Sequence, residues 1–260
     1  MPVMSGISGK NKIMTRYRVN LEYDGTSLIG WQENRQGPSV QSLVKDAIEK
    51  FCAARPDVVA AGRTDAGVHA MAMVAHFDLD GDRDANTVMR ALNFYLNDKP
   101  VSILSCDIVP DTFHARFDCI ARHYKYVVVN RSAPLVLDKN RAWWVPRKLD
   151  VDAMQRAAEK LIGNHDFTSF RASECQAKSP IKTLDIARVT QIGDEIIFEF
   201  SARSFLHHMV RNIVGTLVEI GLGKPYDIDE IFAARDRSAA GPTAPASGLY
   251  FIRADYATDD

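Results

Sequence analysis

Residues 60–79 read Ala60-Ala61-Gly62-Arg63-Thr64-Asp65-Ala66-Gly67-Val68-His69-Ala70-Met71-Ala72-Met73-Val74-Ala75-His76-Phe77-Asp78-Leu79. The second part alternates, with Met71, Met73, Ala75 and Phe77 on one face, which predicts a β-strand over 68–79. The first part holds Gly62 and Gly67 around an arginine and an aspartate, and glycines permit a tight loop that approaches a ligand closely. We therefore expect a loop that presents polar side chains at the start of a strand.

Outward from this stretch, strand and helix patterns alternate along the chain. Period-two alternation predicts strands at 17–23, 101–108 and 124–129 and a hairpin of 186–192 with 195–201 around Gly193-Asp194. Helical spacing predicts helices at 40–51 with Ser39 as N-cap, 87–96, 152–162 and 205–220. Strands with interspersed helices and hairpin pairing indicate an α+β fold with antiparallel strands. No linker rich in Pro, Gly and Ser divides the chain, and no repeat is apparent in the sequence.

Composition limits the class of protein. The chain has 260 residues, 46% hydrophobic and 25% charged, proportions typical of a folded soluble protein. No apolar run approaches the roughly 18 residues of a membrane span, and 1–15 lacks the apolar core of a secretory signal, so we interpret 1–15 as a flexible tail. Four cysteines without CxxC spacing favour free thiols in the cytoplasm over disulfides or a cysteine zinc site.

The net charge of −1 is not that of a bulk nucleic-acid binder. The charge is unevenly distributed, however, because residues 115–148 hold eight basic and two acidic side chains. This asymmetry permits a basic cleft on a protein of nearly neutral charge.

Two interpretations of the Arg63–Asp65 pair follow from the residues alone. A neighbouring arginine favours the ionised carboxylate, the form needed for nucleophilic attack. Short Asp/Gly loops are, however, mostly turns in which the aspartate caps backbone amides. Composition does not decide between them.

The stretch Gly62-Arg63-Thr64-Asp65-Ala66-Gly67-Val68-His69 resembles the signature of the tRNA pseudouridine synthase A family. Seven further blocks agree in the same order: Tyr23–Thr26 with Gly30–Gln32, Ser39–Gln41, Phe113–Phe117, Ala121–Tyr126, Phe170–Ala172 with Cys175-Gln176, Phe205–Asn212 and Thr243–Leu249. The resemblance spans about 16–257, and ordered blocks are far more specific than one short motif.

The resemblance implies an isomerase that converts uridine to pseudouridine at positions 38, 39 and 40 in the anticodon stem-loop of tRNA, without cofactor or metal. It implies two RRM-like halves, 16–120 with the catalytic loop and 121–257, that share a continuous, mainly antiparallel sheet. Helices would cover one face of that sheet, and the active cleft would lie between the halves. It further implies a homodimer that holds tRNA across both subunits, in the cytoplasm and without membrane attachment.

By the same match, Asp65 is the nucleophile, which attacks either uracil C6 or ribose C1′ of a uridine flipped from its stack. Arg63 would occupy the vacated space and keep Asp65 ionised, and Tyr124 would stack on the uracil and assist removal of the C5 proton. Leu249 would form an apolar wall that limits water. The implied substrate contacts are Tyr124, Leu249, Arg171, His207 and Arg211.

We expect His207 and His208 to adjoin on a helix and point in different directions, which makes a poor metal pair. Under the resemblance, the basic residues from Arg116 to Lys148 become part of a phosphate-tracking groove. The wide apolar face of 205–220 belongs either to the core or to a subunit interface.

Two functions from other classes remain open. A catalytically silent RNA-binding protein on the same scaffold would need neither Asp65 nor Arg63. A glycoside or nucleoside hydrolase needs a second carboxylate at a defined separation, and none stands out near Asp65. Mapping of modified uridines in treated tRNA separates all three functions, since the hydrolase releases free uracil.

Overall fold

The computed structural model describes residues 14–257. The strands are β1 (Met14–Tyr23), β2 (Val59–Ala60), β3 (His69–Asp80), β4 (Val101–Val109), β5 (Cys119–Val129), β6 (Trp143–Trp144), β7 (Gly163–Asp166), β8 (Ile181–Ile192), β9 (Glu195–Ala202) and β10 (Leu249–Tyr256). The α-helices are α1 (Val40–Cys52), α2 (Ala85–Leu96), α3 (Val151–Glu159), α4 (Met209–Gly221) and α5 (Ile228–Ala234). The α+β class is confirmed.

The strands form one sheet whose main path runs β4-β1-β3-β10-β5-β9-β8-β7, with β2 on β3 and β6 on β5. The long pairings are antiparallel, whereas β10 runs parallel to β3 through Tyr250–His69 and Phe251–Ala70. The sheet is therefore continuous and mainly antiparallel, as expected.

The same strand order occurs twice in this sheet. In the first half, strands β1, β2, β3 and β4 alternate with α1 and α2 and lie in the order β4-β1-β3-β2. In the second half, β5, β8, β9 and β10 alternate with α3 and α4 and lie in the order β10-β5-β9-β8. Both are βαββαβ units, the plan of an RRM. The repeat is present in topology although the sequence shows none.

One face of the sheet is packed and the other is largely open. Tyr17, Val19, Leu21 and Tyr23 alternate along β1 and are all buried, while the intervening side chains are half-buried or exposed. The packed face meets the apolar stripes of the helices, and this burial is the main stabilising contribution to the fold. The open face carries exposed apolar side chains, among them Met71 and Ile186, so Met71 does not share the buried face of Met73, Ala75 and Phe77 that its alternation predicted.

Most of the predicted elements lie within a few residues of their positions in the structure. Ser39 is the N-cap of α1, and its hydroxyl accepts a hydrogen bond from the Ser42 amide at 3.0 Å. Helix α3 ends at Glu159 rather than at Ile162, because the chain turns through Lys160 toward Gly163 (φ +107°). Met14 and Thr15, which the sequence analysis placed in the tail, belong to β1, and the rest of that tail lies outside the described residues.

Helix α4 is surrounded by the protein's own core. Its apolar residues except the half-buried Ile220 are buried, and the uncharged polar residues on it, Asn212 and Thr216, are buried as well. Asn212 donates to the Phe170 carbonyl oxygen at 2.8 Å, and Thr216 donates to the Asn212 carbonyl oxygen at 2.8 Å. The apolar face of this segment therefore belongs to the core of one chain, which was one of the two alternatives for it.

Candidate active site

The loop that carries Asp65 connects β2 to β3 and is fixed by hydrogen bonds to three parts of the first half. The Ala61 amide donates to the Val74 carbonyl oxygen at 2.8 Å, and the Trp31 amide donates to the Thr64 carbonyl oxygen at 3.0 Å. The hydroxyls of Tyr23 and Thr64 lie 2.8 Å apart in the core. The residue before Asp65 is thus buried and bonded on both its backbone and its side chain, which gives the Asp65 carboxylate a defined position.

A neighbouring glycine makes this packing possible. Gly30 has φ +103°, a left-handed conformation that side-chain-bearing residues rarely adopt. A Cβ at Gly30 would lie 2.6 Å from the Thr64 carbonyl oxygen. The loop therefore rests directly on the backbone of residue 30.

Asp65 is surrounded by three basic side chains from the second half. Its Oδ2 accepts a hydrogen bond from Arg211 Nη1 at 2.9 Å. The Nε2 atoms of His207 and His208 lie 3.3 Å from Oδ1 and Oδ2, respectively. The Asp65 side chain is 24% exposed, so it is neither sealed in the core nor free in solvent.

Arg211 is the ion-pair partner of Asp65, and the expectation that Arg63 plays this part is wrong. Arg63 is exposed, and within residues 14–257 no ion pair joins it to Asp65. Arg211 is held in place by a second hydrogen bond, from its Nε to the Ala244 carbonyl oxygen at 2.8 Å. The sequence analysis named Arg211 only as a substrate contact. Its pairing with the Asp65 carboxylate gives no signal in the local sequence, because the two residues are far apart along the chain.

The expectation that His207 and His208 lie on a helix and diverge is also wrong. Helix α4 begins at Met209, and His208 precedes it in a left-handed conformation with φ +61°. This backbone reversal turns both imidazoles toward Asp65, with ring centroids 4.0 Å apart. Burial lowers the pKa of His208, which keeps its ring neutral at neutral pH.

Tyr124 lies on β5, across the cleft from Asp65. It is buried, and its ring packs edge-to-face on Phe205 and Phe251 at centroid distances of 5.0 and 5.3 Å. Among the described residues its hydroxyl makes no hydrogen bond, whereas the hydroxyl of the neighbouring Tyr126 donates to the Pro245 carbonyl oxygen at 2.8 Å. Burial raises the pKa of Tyr124 well above its ordinary value, so the phenol is protonated at neutral pH.

These residues line a cleft of about 850 Å³ between the two halves. The first half contributes the loop with Arg63 and Asp65, and the second half contributes Tyr124, Leu249 and the segment from Phe205 to Arg211. Leu249 is buried and forms an apolar part of the wall. The volume is of the size that small-molecule sites have, so one nucleotide fits within it.

Arg171 is the one candidate substrate contact that the structure leaves out of this cleft. It is half-buried, and it does not line the cleft. Its neighbour Ala172 is connected to the site through the backbone, since the Ala172 amide donates to the His207 carbonyl oxygen at 3.0 Å. Arg171 therefore precedes a residue that is bonded to the histidine segment, but its own side chain is not part of the cleft wall.

The basic residues between 115 and 148 do not form one groove. Arg116 and Arg122 both line the cleft, but Arg122 is buried in its wall and donates to the carbonyl oxygens of Ala61, Arg116 and Arg203. Lys125 lines a separate depression on the open face of the sheet. Arg122 is thus a structural residue, and only part of the predicted phosphate-tracking set faces the cleft.

The cleft offers one set of side chains that could hold a metal ion. The ligand atoms of Asp65, His207 and His208 lie within 4.8 Å of one another. The guanidinium of Arg211 is already bonded to Asp65 Oδ2, and its positive charge opposes a cation at this point.

The cleft also holds a second carboxylate, Glu174.

Within the described residues, no helix is both long enough and apolar enough to cross a membrane.

Comparisons with known proteins place this geometry in a family. A family model described as tRNA pseudouridine synthase matches residues 21–118 and 157–257. The chain is 54% identical over 245 residues to the tRNA pseudouridine synthase A of Paramagnetospirillum magneticum, covering 94% of this chain and 96% of the relative. It is 52% identical to the protein of that name from Rhodospirillum centenum, covering 94% and 100%, and 51% identical to that from Brucella ovis, covering 94% and 99%.

Among solved structures, a chain in the crystal structure of a Cbf5-Nop10-Gar1 complex aligns with 90% of this chain and 48% of its own length, with a TM-score of 0.38 and 12% identity. At this TM-score the likeness is too low to support an inference.

Proposed function

Because the chain belongs to the tRNA pseudouridine synthase family, we propose that it converts uridine to pseudouridine at positions 38, 39 and 40 of the tRNA anticodon stem-loop, with Asp65 as the nucleophile. The enzyme is an isomerase that forms pseudouridine in tRNA. The observation that carries the proposal is the position of Asp65. It is a carboxylate ion-paired to Arg211 at 2.9 Å, partly exposed in a cleft large enough for one nucleotide.

The first step brings the uridine to the carboxylate. A base inside a stem has to leave its stack, at a cost of a few kcal/mol, before its C6 or the ribose C1′ can be reached. Arg63 is exposed at the edge of the cleft beside Asp65, and it occupies the space that the base leaves. The Arg211 guanidinium, not Arg63, keeps Asp65 ionised.

Attack by Asp65 at C6 or at C1′ forms one covalent bond and lets the N1–C1′ glycosidic bond break. The freed uracil turns within the cleft, and a C5–C1′ bond forms in its place. Release of the enzyme then returns the Asp65 carboxylate, C5 loses its proton and N1 gains one. The balance needs no oxidant, reductant or second substrate, which agrees with the expectation that no cofactor takes part.

Tyr124 and Leu249 support this sequence of steps in different ways. The Tyr124 ring stacks on the uracil, and its hydroxyl has no protein partner to lose when it contacts the base. Because the phenol is protonated at neutral pH, it acts as a relay: its oxygen accepts the C5 proton while its hydroxyl proton passes to N1, the uracil atom that gains a proton in this reaction. Leu249 limits access of water to the cleaved base.

His207 and Arg211 contact the substrate through those donor atoms that are not already bonded within the protein. Arg211 uses Nη1 and Nε within the protein, so Nη2 remains for the RNA. His207 is 41% exposed and lies at the mouth of the cleft. Arg171, also a proposed contact, lies farther from Asp65 and touches RNA only outside the cleft.

Three further proposals concern the organisation of the protein. Residues 16–120 and 121–257 form the two halves, because each supplies one wall of the cleft. Two copies form a homodimer that holds tRNA across both subunits, and the exposed apolar side chains on the open sheet face provide surface for an interface. A cytoplasmic location fits the four free cysteines.

The test is to incubate an unmodified tRNA transcript with the protein and to map pseudouridine chemically. We expect signals at positions 38, 39 and 40 with the wild-type chain and none with Asp65→Ala, while the affinity for tRNA stays near that of wild type. Asp152→Ala is the matched control, because Asp152 is exposed in the first turn of α3 and does not line the cleft.

Each other outcome has a defined meaning. Pseudouridine at other positions contradicts the anticodon stem-loop proposal, and turnover by Asp65→Ala contradicts the nucleophile. Release of free uracil indicates a hydrolase, for which Glu174 is the second carboxylate available in the cleft. In that case Glu174→Gln abolishes the reaction, whereas the isomerase retains it.

A further inference from the structure

The turn between β4 and β5 presents an aromatic pair to solvent. Phe117 is 68% exposed. Its ring stacks on the half-buried imidazole of His114, with centroids 4.2 Å apart and an interplanar angle of 28°. The Phe117 ring thus packs on His114 while most of its side chain remains exposed to solvent.

This turn is rigid although its tip is exposed. The amides of Arg116 and Phe117 both donate to His114 Nδ1 at 3.2 Å. The His114 amide donates to Asp118 Oδ2 at 2.6 Å, and the Asp118 amide donates to the His114 carbonyl oxygen at 3.0 Å. An exposed aromatic ring held in a fixed orientation loses little conformational entropy on binding a flat ligand.

The turn is also connected to the loop that carries Asp65. Arg122 Nη2 donates to the Arg116 carbonyl oxygen at 2.8 Å and to the Ala61 carbonyl oxygen at 2.7 Å. Ala61 is the residue at which the Asp65 loop starts. One buried guanidinium therefore fixes the distance between the aromatic pair and the catalytic carboxylate.

Charge at this position favours a nucleic acid as the ligand. Arg116 lines the cleft and places its guanidinium 5.8 Å from the centre of the Phe117 ring. Among the described residues it has no ion-pair partner, so its charge is available to a phosphate. An aromatic face beside an unpaired arginine is the combination that binds single-stranded nucleic acid, in which each base has a face to stack and each linkage a negative charge.

We propose that Phe117 and His114 form a stacking platform for a second, unpaired nucleobase of the RNA substrate, adjacent to the nucleotide at Asp65, with Arg116 on its phosphate. This inference rests on the proposed function, because it assigns a further contact to the same RNA. The platform holds the substrate strand at the mouth of the cleft while the target uridine is inside it.

A second exposed phenylalanine provides a matched control. Phe94 on α2 is 75% exposed and also contacts an aromatic neighbour, Tyr95, with ring centroids 5.1 Å apart. No residue of α2 lines the cleft, whereas the turn that carries Phe117 reaches the cleft through Arg116. Phe94→Ala therefore removes the same side chain from a comparable surface without touching the proposed RNA path.

The experiment measures the dissociation constant for a fluorescently labelled tRNA, together with kcat and KM for pseudouridine formation. One stacked base contributes about 1–3 kcal/mol, so we expect Phe117→Ala to weaken tRNA binding by roughly 5- to 150-fold and to raise KM more than it lowers kcat. Phe117→Trp restores most of the lost affinity because an aromatic face returns. Phe94→Ala binds as the wild-type chain does.

Several results would overturn the platform. These are wild-type affinity in Phe117→Ala, no rescue by Phe117→Trp, or an equal loss in Phe94→Ala. A change of sedimentation coefficient in Phe117→Ala would assign Phe117 to an interface between copies instead.

The binding measurement needs no turnover, so it separates the platform from the proposed function. If the wild-type chain binds tRNA through Phe117 but forms no pseudouridine, the proposed function fails and the platform stands. If pseudouridine forms and Phe117→Ala has the Kd and KM of the wild-type chain, the platform fails and the proposed function stands.

Discussion

Arg211 and Asp65 come from opposite halves of the protein and meet in the cleft, where Nη1 of the arginine donates to Oδ2 of the aspartate at 2.9 Å. The contact joins the start of α4 to the loop before β3. The contact therefore stabilises the negative charge of Asp65 and also links the two halves across the cleft.

Replacing Arg211 tests the first of these functions. Arg211→Ala leaves Asp65 without its charged donor, and a hydrogen bond to a charged group contributes about 1.5–3 kcal/mol. We expect kcat/KM for pseudouridine formation to fall by roughly 10- to 150-fold. Arg211→Lys retains the charge but replaces the separate Nε and Nη1 donors by a single nitrogen, so its loss should be intermediate. Equal activity of Arg211→Ala and wild type would contradict the ion-pair role.

The Tyr124 hydroxyl is a separate target, because its removal leaves the aromatic packing intact. Tyr124→Phe should lower kcat while the free energy of unfolding changes by less than about 0.5 kcal/mol, since no protein hydrogen bond is lost. Tyr126→Phe is the counterpart: it loses the hydrogen bond to Pro245 and should cost about 1 kcal/mol of stability. Urea denaturation and single-turnover kinetics measure the two effects. An unchanged kcat in Tyr124→Phe would remove the hydroxyl from the mechanism.

Gly30 should be essential for the position of the Asp65 loop. In Gly30→Ala the left-handed φ of +103° is strained, and the new Cβ meets the Thr64 carbonyl oxygen. We expect a destabilisation of about 2 kcal/mol or more and a loss of activity that persists well below the melting temperature. Gly193→Ala serves as the control, because that glycine also has a positive φ (+60°) but has no atom within 4 Å of a new Cβ. Similar losses in both variants would assign the effect to backbone strain at a positive φ rather than to the contact with the Thr64 carbonyl oxygen.

His76 should make the stability of the fold depend on pH. Burial, with the charges of Arg16 and His114, lowers the pKa of His76 to about 4. The unfolded chain, in which histidine titrates near 6.5, binds that proton more readily. Stability from this group is therefore full above about pH 6.5 and is lost as the pH falls toward 4, by up to about 3 kcal/mol.

Urea denaturation at several pH values between 7.5 and 4 measures this slope. In the wild-type chain the Ala115 amide donates to His76 Nδ1 at 3.2 Å. His76→Asn keeps an acceptor for this amide, but its side chain does not titrate. The variant should show a shallower slope over that range. A slope equal to that of the wild-type chain would assign the pH dependence to other groups.

The sequence predicts the local structure of this protein better than the contacts of its site. Alternation along 17–23 and helical spacing after Ser39 were enough to locate β1 and α1, because burial of one face determines both patterns. The family motifs identified Asp65, Tyr124 and Leu249, and the structure brings all three to one cleft.

The contacts that the sequence did not predict depend on tertiary structure. Arg63 is near Asp65 in sequence, yet Arg211 reaches the carboxylate because α4 packs beside the loop. The helix pattern continued through His207 and His208, whereas the left-handed backbone at His208 ends the helix and turns both rings toward the cleft. Arg122 was expected to belong to a phosphate-tracking groove, whereas its guanidinium is buried on three carbonyl oxygens.

The parallel pairing of β10 with β3 has a consequence for synthesis on the ribosome. Strand β2 pairs one part of the free edge of β3, at Ala75 and His76, but the part at His69 and Ala70 has no strand partner until everything from α2 to α5 has been translated and β10 follows. An open sheet edge of this kind is a template for aggregation in a nascent chain. The first RRM-like half therefore leaves the ribosome with one short open edge at the start of β3, next to the Asp65 loop, and only the C-terminal strand of the chain covers it.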